Sequence, residues 1–495
     1  LSACFDLANA AIADDHIFTD GFEVLVQTHA AEEFPSALHT RPNPQDLPAS
    51  PRRGNEHHKD NGLNINMKHL LKYMIPLLVA TLADAAPHQA FVTSTSGNGN
   101  LASWADAGNN AGLAAGDAIC QARATAAGLP NPTQFGAWLS DASNDAYCRA
   151  FTSGGGTLAN ACGQISLPTG AGPWVRLDGL PFASTIENAL RNVPGLPANY
   201  QDGVVFSPLL LDENGHALPS FSLLFTATQP TGTYDNVGGH ADCGGWTTSD
   251  SSLVGYGIST ASTNSWTAAG SIKCSVNPGF SAHLICMQKD PGESLSGYTH
   301  FGNRVAFVTR TTPVTGDLSQ APPALAANTF GINAGDSICQ ADAVVGHLYQ
   351  PKSFKALLTS NGSGNIMDRF QFDGPWFRPD GLLLAHNKAE IVSNILTVPP
   401  NVSETNEYLG VTGILTGANA DGSPSGKDCN GWTSASAAVT GTTGIANRSA
   451  GWIGGYGAVA CSFPNSSLLC LSDADVVFHS EFEIEPYSEA SAAQD

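Results

Sequence analysis

Asp428-Cys429-Asn430-Gly431-Trp432-Thr433 repeats, with one change, an earlier stretch of the same chain, Asp242-Cys243-Gly244-Gly245-Trp246-Thr247. Working outward, three more blocks return in the same order. Ala334-Gly335-Asp336-Ser337-Ile338-Cys339-Gln340-Ala341 matches Ala115-Gly116-Asp117-Ala118-Ile119-Cys120-Gln121-Ala122. Gly374-Pro375-Trp376-Phe377-Arg378-Pro379-Asp380-Gly381-Leu382 matches Gly172-Pro173-Trp174-Val175-Arg176-Leu177-Asp178-Gly179-Leu180, and Ala306-Phe307-Val308-Thr309 matches Ala90-Phe91-Val92-Thr93. Matching blocks in one order at similar spacing are the mark of a duplication. The first copy spans residues 87–289 and the second 305–472, with a Gly/Ser-containing linker at 290–304.

Within each copy the local signals are short. Phe91-Val92-Thr93 and Phe307-Val308-Thr309 are β-prone, and Phe135 to Leu139 and Phe354 to Leu358 have the look of buried strands. Asp117 and Asp336 precede good helix formers, so a helix is expected to begin there and carry its cysteine inward. Past these strands Gly, Asn, Ser and Thr dominate, so much of each copy reads as loop. The expectation is a loop-rich α+β fold used twice.

Composition agrees. Of 495 residues only 13 % are charged while 42 % are hydrophobic, which excludes a charge-rich disordered chain and a coiled coil. Lys and Arg number 21 against 43 Asp and Glu, and the formal charge of -22 repels phosphate backbones. No nucleic-acid partner is expected.

The termini read differently. From Met67, Lys68 and Lys72 flank an apolar stretch from Met74 to Ala83, and Ala83-Asp84-Ala85 offers small residues at the recognition positions, the pattern of a secretory signal peptide at 67–85. The stretch is too short for a transmembrane anchor. Asp15-His16-Ile17-Phe18-Thr19-Asp20-Gly21-Phe22-Glu23 and Asp475-Val476-Val477-Phe478-His479-Ser480-Glu481-Phe482-Glu483 share the Asp, both Phe and the final Glu. They resemble short tails on exported proteins of some Gram-negative bacteria. Residues 1–66 are therefore read as upstream read-through ahead of a start at Met67, with a disordered leader as the alternative, and 473–495 as a disordered acidic tail.

The first copy holds Cys120, Cys148, Cys162, Cys243, Cys274 and Cys286, the second Cys339, Cys429, Cys461 and Cys470, and Cys4 alone is left over. No C-x-x-C pair supports a zinc site, so disulfides are expected. Cys120–Cys286 and Cys339–Cys470 would join helix to last strand, Cys243–Cys274 and Cys429–Cys461 would fasten the loop region, and Cys148–Cys162 would close a local insertion. Long-range bridges contribute on the order of 3 to 5 kcal/mol each in loop-closure models, and they imply a secreted, periplasmic or cell-surface protein.

A helix cysteine, a later Asp-Cys, a tryptophan before the next cysteine and a closing cysteine together resemble the C-type-lectin-like fold. The motifs Ala-Gly-Asp-x-Ile-Cys-Gln-Ala, Arg-x-Asp-Gly and Cys-Asn-Gly-Trp-Thr-Ser resemble more closely the bacterial exported family called domain of unknown function 1554, similar to the endostatin-type branch of that fold. The resemblance covers both copies and implies two tandem C-type-lectin-like domains, with the same cysteine pairing. Sugar-binding members hold Ca2+ through a Pro-containing tripeptide before the second cysteine and a Trp-Asn-Asp before the third. Here those places read Asn419-Ala420-Asp421 and Trp452-Ile453-Gly454 in the second copy, and Thr233-Tyr234-Asp235 and Trp266-Thr267-Ala268 in the first. The proline and the Asn-Asp ligands are missing, so calcium-dependent sugar binding of the familiar kind is not expected and no cofactor is expected, with Ca2+ as the alternative.

Candidate ligand-binding residues are Asn419, Asp421, Asp428, Asn430 and Trp432 in the second copy and Asp235, Asp242 and Trp246 in the first. Each has a plainer reading as well: the polar residues as turn formers, Trp246 and Trp432, with Trp174 and Trp376, as core packing. Arg176 with Asp178 and Arg378 with Asp380 are expected to form local ion pairs or to fix turns through Gly179 and Gly381. No H-E-x-x-H, G-x-S-x-G or P-loop pattern occurs, and the duplicated blocks nominate no catalytic pair. The sequence thus predicts a non-enzymatic exported protein recognising a glycan or a surface or matrix protein. The alternatives are a structural component of the cell envelope and an unrecognised hydrolase.

Overall fold

In β1 (His88–Val92) the side chains of Ala90 and Val92 join one hydrophobic cluster and that of Phe91 another. Successive side chains of a strand point to opposite faces, so this alternation means a sheet covered on both sides. The computed structural model describes residues 87–196, 203–219, 221–276, 281–293, 295, 304–310, 314–464 and 466–474. The expected leader and signal peptide, Cys4 and the expected tail from 475 onward lie outside the described residues, as does most of the expected linker.

After β1 the first repeat runs α1 (Gly112–Ala126), β2 (Phe135–Ala137), α2 (Ala146–Arg149), β3 (Trp174–Val175), β4 (Pro181–Ala183), α3 (Ile186–Ala189) and β5 (Leu223–Phe225). It continues with β6 (His240–Ala241), the short helical turn α4 (Cys243–Trp246), β7 (Leu253–Ile258), β8 (Gly270–Lys273) and β9 (Ala282–Gln288). These strands form one nine-stranded sheet, ordered β4-β3-β1-β9-β5-β7-β6, with β2 beside β9 and β8 beside β7. First and last strands are thereby neighbours: β1 and β9 pair antiparallel, Phe91 opposite Cys286.

The second repeat has β10 (Ala306–Val308), α5 (Pro322–Ala327), α6 (Gly331–Val345), β11 (Phe354–Ala356), β12 (Trp376–Phe377), β13 (Leu383–Ala385) and α7 (Lys388–Val392). Next come β14 (Gly413–Leu415), the turn α8 (Cys429–Trp432), β15 (Thr440–Ile445), β16 (Gly457–Ala460) and β17 (Leu469–Ser472). Its strands take the same path but fall into three sheets. Where β3 pairs along β1 and β5 along β9 in the first repeat, β12 and β14 reach the corresponding neighbours through the single bridges Val305–Phe377 and Ile414–Ser467, while pairing along β13 and β15. β10 and β17 pair antiparallel as β1 and β9 do, Phe307 opposite Cys470. The result is a mixed helix-and-sheet fold with several small sheets.

The helices begin earlier than the sequence reading expects. α1 starts at Gly112 and α6 at Gly331, so Asp117 and Asp336 sit in the second turn and cap nothing. Their carboxylates cross to the next strand instead. Asp117 accepts from the Ala137 N–H at 2.9 Å and Asp336 from the Ala356 N–H at 2.9 Å, and each also holds an arginine, Arg149 at 2.6 Å and Arg369 at 2.5 Å. Beside them, a Cβ on Gly116 would lie 2.8 Å from Leu139, and one on Gly335 2.8 Å from Leu358. The shared Ala-Gly-Asp-x-Ile-Cys-Gln-Ala block is thus the close contact between helix and strand.

All five expected disulfides are present: Cys120–Cys286, Cys148–Cys162, Cys243–Cys274, Cys339–Cys470 and Cys429–Cys461. Each stays within its repeat, as in proteins of oxidising compartments. Among the described residues no helix is long and apolar enough to cross a membrane.

The two repeats belong to one compact unit. Ala261 and Arg448, each three residues past the isoleucine that ends β7 or β15, form an antiparallel bridge. The Ser262 N–H donates to the Asn447 carbonyl at 3.0 Å and the Ser449 N–H to the Thr260 carbonyl at 3.0 Å. Equivalent residues thus exchange equivalent bonds, the pattern of a two-fold interface. Beside this seam Phe206 of the first repeat packs against the core of the second, edge-on to Tyr408 at 5.9 Å.

Candidate functional site

Trp246 and Trp432 follow the loop cysteines and are completely enclosed. Their indole N–H groups donate to the carbonyls of Ser140 at 2.8 Å and Thr359 at 3.0 Å. A buried indole needs such a partner, and once it has one the ring is fixed in the core. Neither tryptophan presents a face to a ligand, which corrects their place among the candidate ligand-binding residues in favour of core packing. Trp174 and Trp376 are equally buried and donate to the carbonyls of Gln288 and Ser472.

Asp242 and Asp428 are also buried, and their carboxylates are occupied by backbone donors. Asp242 accepts from Gly245 N–H at 2.8 Å, capping α4, and from Ala142 N–H at 3.0 Å. Asp428 accepts from Asn361 N–H at 2.7 Å. Each ties the cysteine turn to the loop that comes after the second strand of its repeat. These loops are therefore anchored from below rather than lined by free carboxylates.

Asp235 is buried against Gly255, whose added Cβ would lie 2.8 Å from its Oδ2, and it accepts from Val237 N–H at 3.3 Å. Its place in the repeat differs from the sequence reading. The bridge Thr228–Tyr234 corresponds to Ala418–Pro424, and the turn bonds Gln229 N–H to Thr233 O and Asn419 N–H to Ser423 O correspond too. The counterpart of Asn419-Ala420-Asp421 is therefore Gln229-Pro230-Thr231, and Asp235 answers to Ser425. Two turns of unlike sequence hide the register.

Asn419, Asp421 and Asn430 are exposed. The Asn419 amide donates to Ser423 Oγ at 3.1 Å and to the Pro424 carbonyl at 3.2 Å, and Asp421 accepts from Ser423 N–H at 3.0 Å and Oγ–H at 2.6 Å. Hydrogen bonds from Ser423 hold the Asp421 carboxyl below its ordinary value, so it is charged at neutral pH. The Asn365 amide donates to the Asp421 carbonyl at 2.9 Å, binding this turn to the neighbouring loop. Asn430 stands in a left-handed conformation, φ 58°, and its carbonyl accepts from the Thr433 hydroxyl at 2.8 Å. The structure thus separates the eight candidates into a buried foundation of Asp235, Asp242, Asp428, Trp246 and Trp432 and an exposed set of Asn419, Asp421 and Asn430.

Among the described residues no group of three or more His, Cys, Asp or Glu side chains is arranged to hold a metal ion. Two shallow clefts exist elsewhere, one of about 290 Å³ including Val411, Tyr456 and Phe463, the other of about 330 Å³ including Thr95, Asn98, Trp104 and Asp106. The expected turns Arg176–Asp178 and Arg378–Asp380 are both ion pairs, the aspartates also accepting from the N–H of Leu180 and Leu382.

No family model matches the chain, and no curated protein matches it.

Proposed function

We propose that this is an exported bacterial binding protein, built from two C-type-lectin-like domains, that recognises a glycan or a surface or matrix protein through the loops around the second and third shared cysteines. The observation that carries the reading is the exposed set Asn419, Asp421 and Asn430, held from beneath by Trp432, Asp428 and the Cys429–Cys461 bridge. Polar groups pre-set on a rigid base bind at little ordering cost, which is what a recognition loop needs. The lectin-like assignment draws support from first and last strands that pair, a helix cysteine bonded to the last strand, and a second bridge fastening the loops.

A glycan and matrix-protein array, run with and without EDTA, tests this. Saturable binding is expected, with at least a tenfold loss in Asp421→Ala and Asn419→Ala variants that keep the wild-type melting temperature. A blank array, with the protein retained in an envelope complex, would favour the structural role instead. That second reading has its own support in the apolar residues Leu325, Phe330, Val344, Val345 and Tyr349, all exposed on or beside α5 and α6.

A further inference from the structure

Two turns of 3-10 helix, Leu101–Ser103 and Ala105–Ala107, follow β1 and meet at Trp104. The indole is held from two sides. Its N–H donates to the Asn98 carbonyl at 3.0 Å, and the Gly97 backbone lies on the ring, where an added Cβ would stand 2.6 Å from Nε1. The second repeat fills the same place differently. The Trp104 N–H donates to the Leu101 carbonyl as the Ala321 N–H does to that of Leu318, and the bridge Gly97–Ala282 corresponds to Val314–Ser466. Ala321 and Val314 thus stand where the first repeat has Trp104 and Gly97, and both are buried. The fold therefore needs neither the indole nor the glycine, and the indole wall of the cleft of about 330 Å³ at this place is the first repeat's own.

The rest of the cleft is polar. Ser103 Oγ donates to the Asn100 carbonyl at 2.6 Å and Ser96 Oγ shares a hydrogen bond with Ser281 Oγ at 2.6 Å, so both hydroxyl oxygens keep room to accept. Asn98 is fixed through its Oδ1, which accepts from the Asn100 N–H at 3.0 Å, while its carboxamide N–H groups donate to nothing among the described residues. Asp106 Oδ2 takes Arg123 at 3.3 Å, and Oδ1 has no partner among the described residues. A second observation points the same way. Thr95 lines the cleft, and its hydroxyl is enclosed without a hydrogen-bond partner among the described residues. A polar group left so calls for a partner from outside the chain. Unused donors and acceptors, with no lysine or arginine in the lining and the one carboxylate already met by Arg123, suit neutral hydroxyls better than an ion. The indole adds an apolar flank for C–H groups. At about 330 Å³ the cleft falls at the small end of ligand sites, roughly 300 to 1,000 Å³.

We propose that this cleft of the first repeat binds a neutral pyranose ring, with Asn98 donating to its hydroxyls, Asp106 Oδ1 and the Ser103 oxygen accepting from them, and Trp104 against its C–H side. The site shares no residue with the loop candidates. It therefore goes beyond the proposed function, and either can fail without the other.

Titration calorimetry of the full chain with the methyl pyranosides of glucose, galactose, mannose and N-acetylglucosamine, and with methyl glucuronide as the charged comparison, provides the test. Wild type should bind at least one of the neutral glycosides saturably, and Asn98→Ala at least tenfold more weakly. Gly97→Val combined with Trp104→Ala, which copies the second repeat, should fold and bind none of them. No saturable binding of a neutral glycoside, binding of methyl glucuronide alone, or equal binding by either variant would overturn the site. Should the variants not fold, the indole N–H resonance of Trp104 in the wild-type protein decides: a shift that saturates with the glycoside supports the site, and an unmoved resonance overturns it.

Discussion

Arg378 is fully buried, and its charge is met by Asp380 two residues on and by the hydroxyl of Tyr408, which also donates to Asp380. Burial alone would raise the Asp380 carboxyl, but the Arg378 charge and the bonds from Arg378, Tyr408 and Leu382 outweigh it and hold the group below the ordinary carboxylate range. A carboxyl lowered in this way stabilises the fold above its unfolded-state pKa and loses that contribution as pH falls through the folded one. Asp380→Asn should therefore cost about 3 to 5 kcal/mol near neutral pH, because it leaves a buried guanidinium uncompensated. Measured by urea unfolding, the deficit should shrink at about pH 3, below the ordinary carboxylate pKa, where the unfolded chain takes up a proton that folded Asp380 resists. A deficit equal at both pH values would contradict the pairing. This turn is legible in the sequence because its partners are two residues apart. Asp117 and Asp336 escape the sequence reading for the opposite reason: their acceptor roles engage strand amides 20 residues away, and nothing local distinguishes them from first-turn acids.

At the scale of elements, one device appears in both repeats. A Cβ on Gly99 would stand 2.3 Å from Cys243 Sγ, and one on Gly316 2.3 Å from Cys429 Sγ and 2.7 Å from Cys461 Cβ. The segment after the first strand thus lies directly on the loop disulfide. Gly316→Ala and Gly99→Ala should each destabilise by about 1 to 3 kcal/mol, as overpacked sites do. Gly155→Ala, where an added Cβ meets nothing within 4 Å, should stay within about 0.5 kcal/mol. Thermal melts of the three variants check this, and an unchanged melting temperature for Gly316→Ala would remove the close contact. The first two strands, the long helix and four of the five cysteine pairs are legible because each is written twice in the chain. The turn at Gln229 to Thr233 is not, since it matches Asn419 to Ser423 in backbone path but hardly in sequence.

Across the whole molecule, the seam decides how the repeats act together. Thr260-Ala261-Ser262 and Asn447-Arg448-Ser449 carry no apolar pattern that would announce an interface, so the sequence alone suggests modules strung on a linker. The reciprocal backbone bonds make one body instead, and the two sets of loops are held in a set relation rather than tethered. Any gain from engaging a repeating ligand then depends on whether its spacing matches that relation. Underneath lies a scaffold clamped separately in each half by its own sulfur bridges. Peptide mass mapping of the purified, unreduced chain tests that claim most directly. It should return Cys120–Cys286, Cys148–Cys162, Cys243–Cys274, Cys339–Cys470 and Cys429–Cys461 and no link from one repeat to the other. Free thiols at these positions, or a bridge joining the repeats, would contradict it.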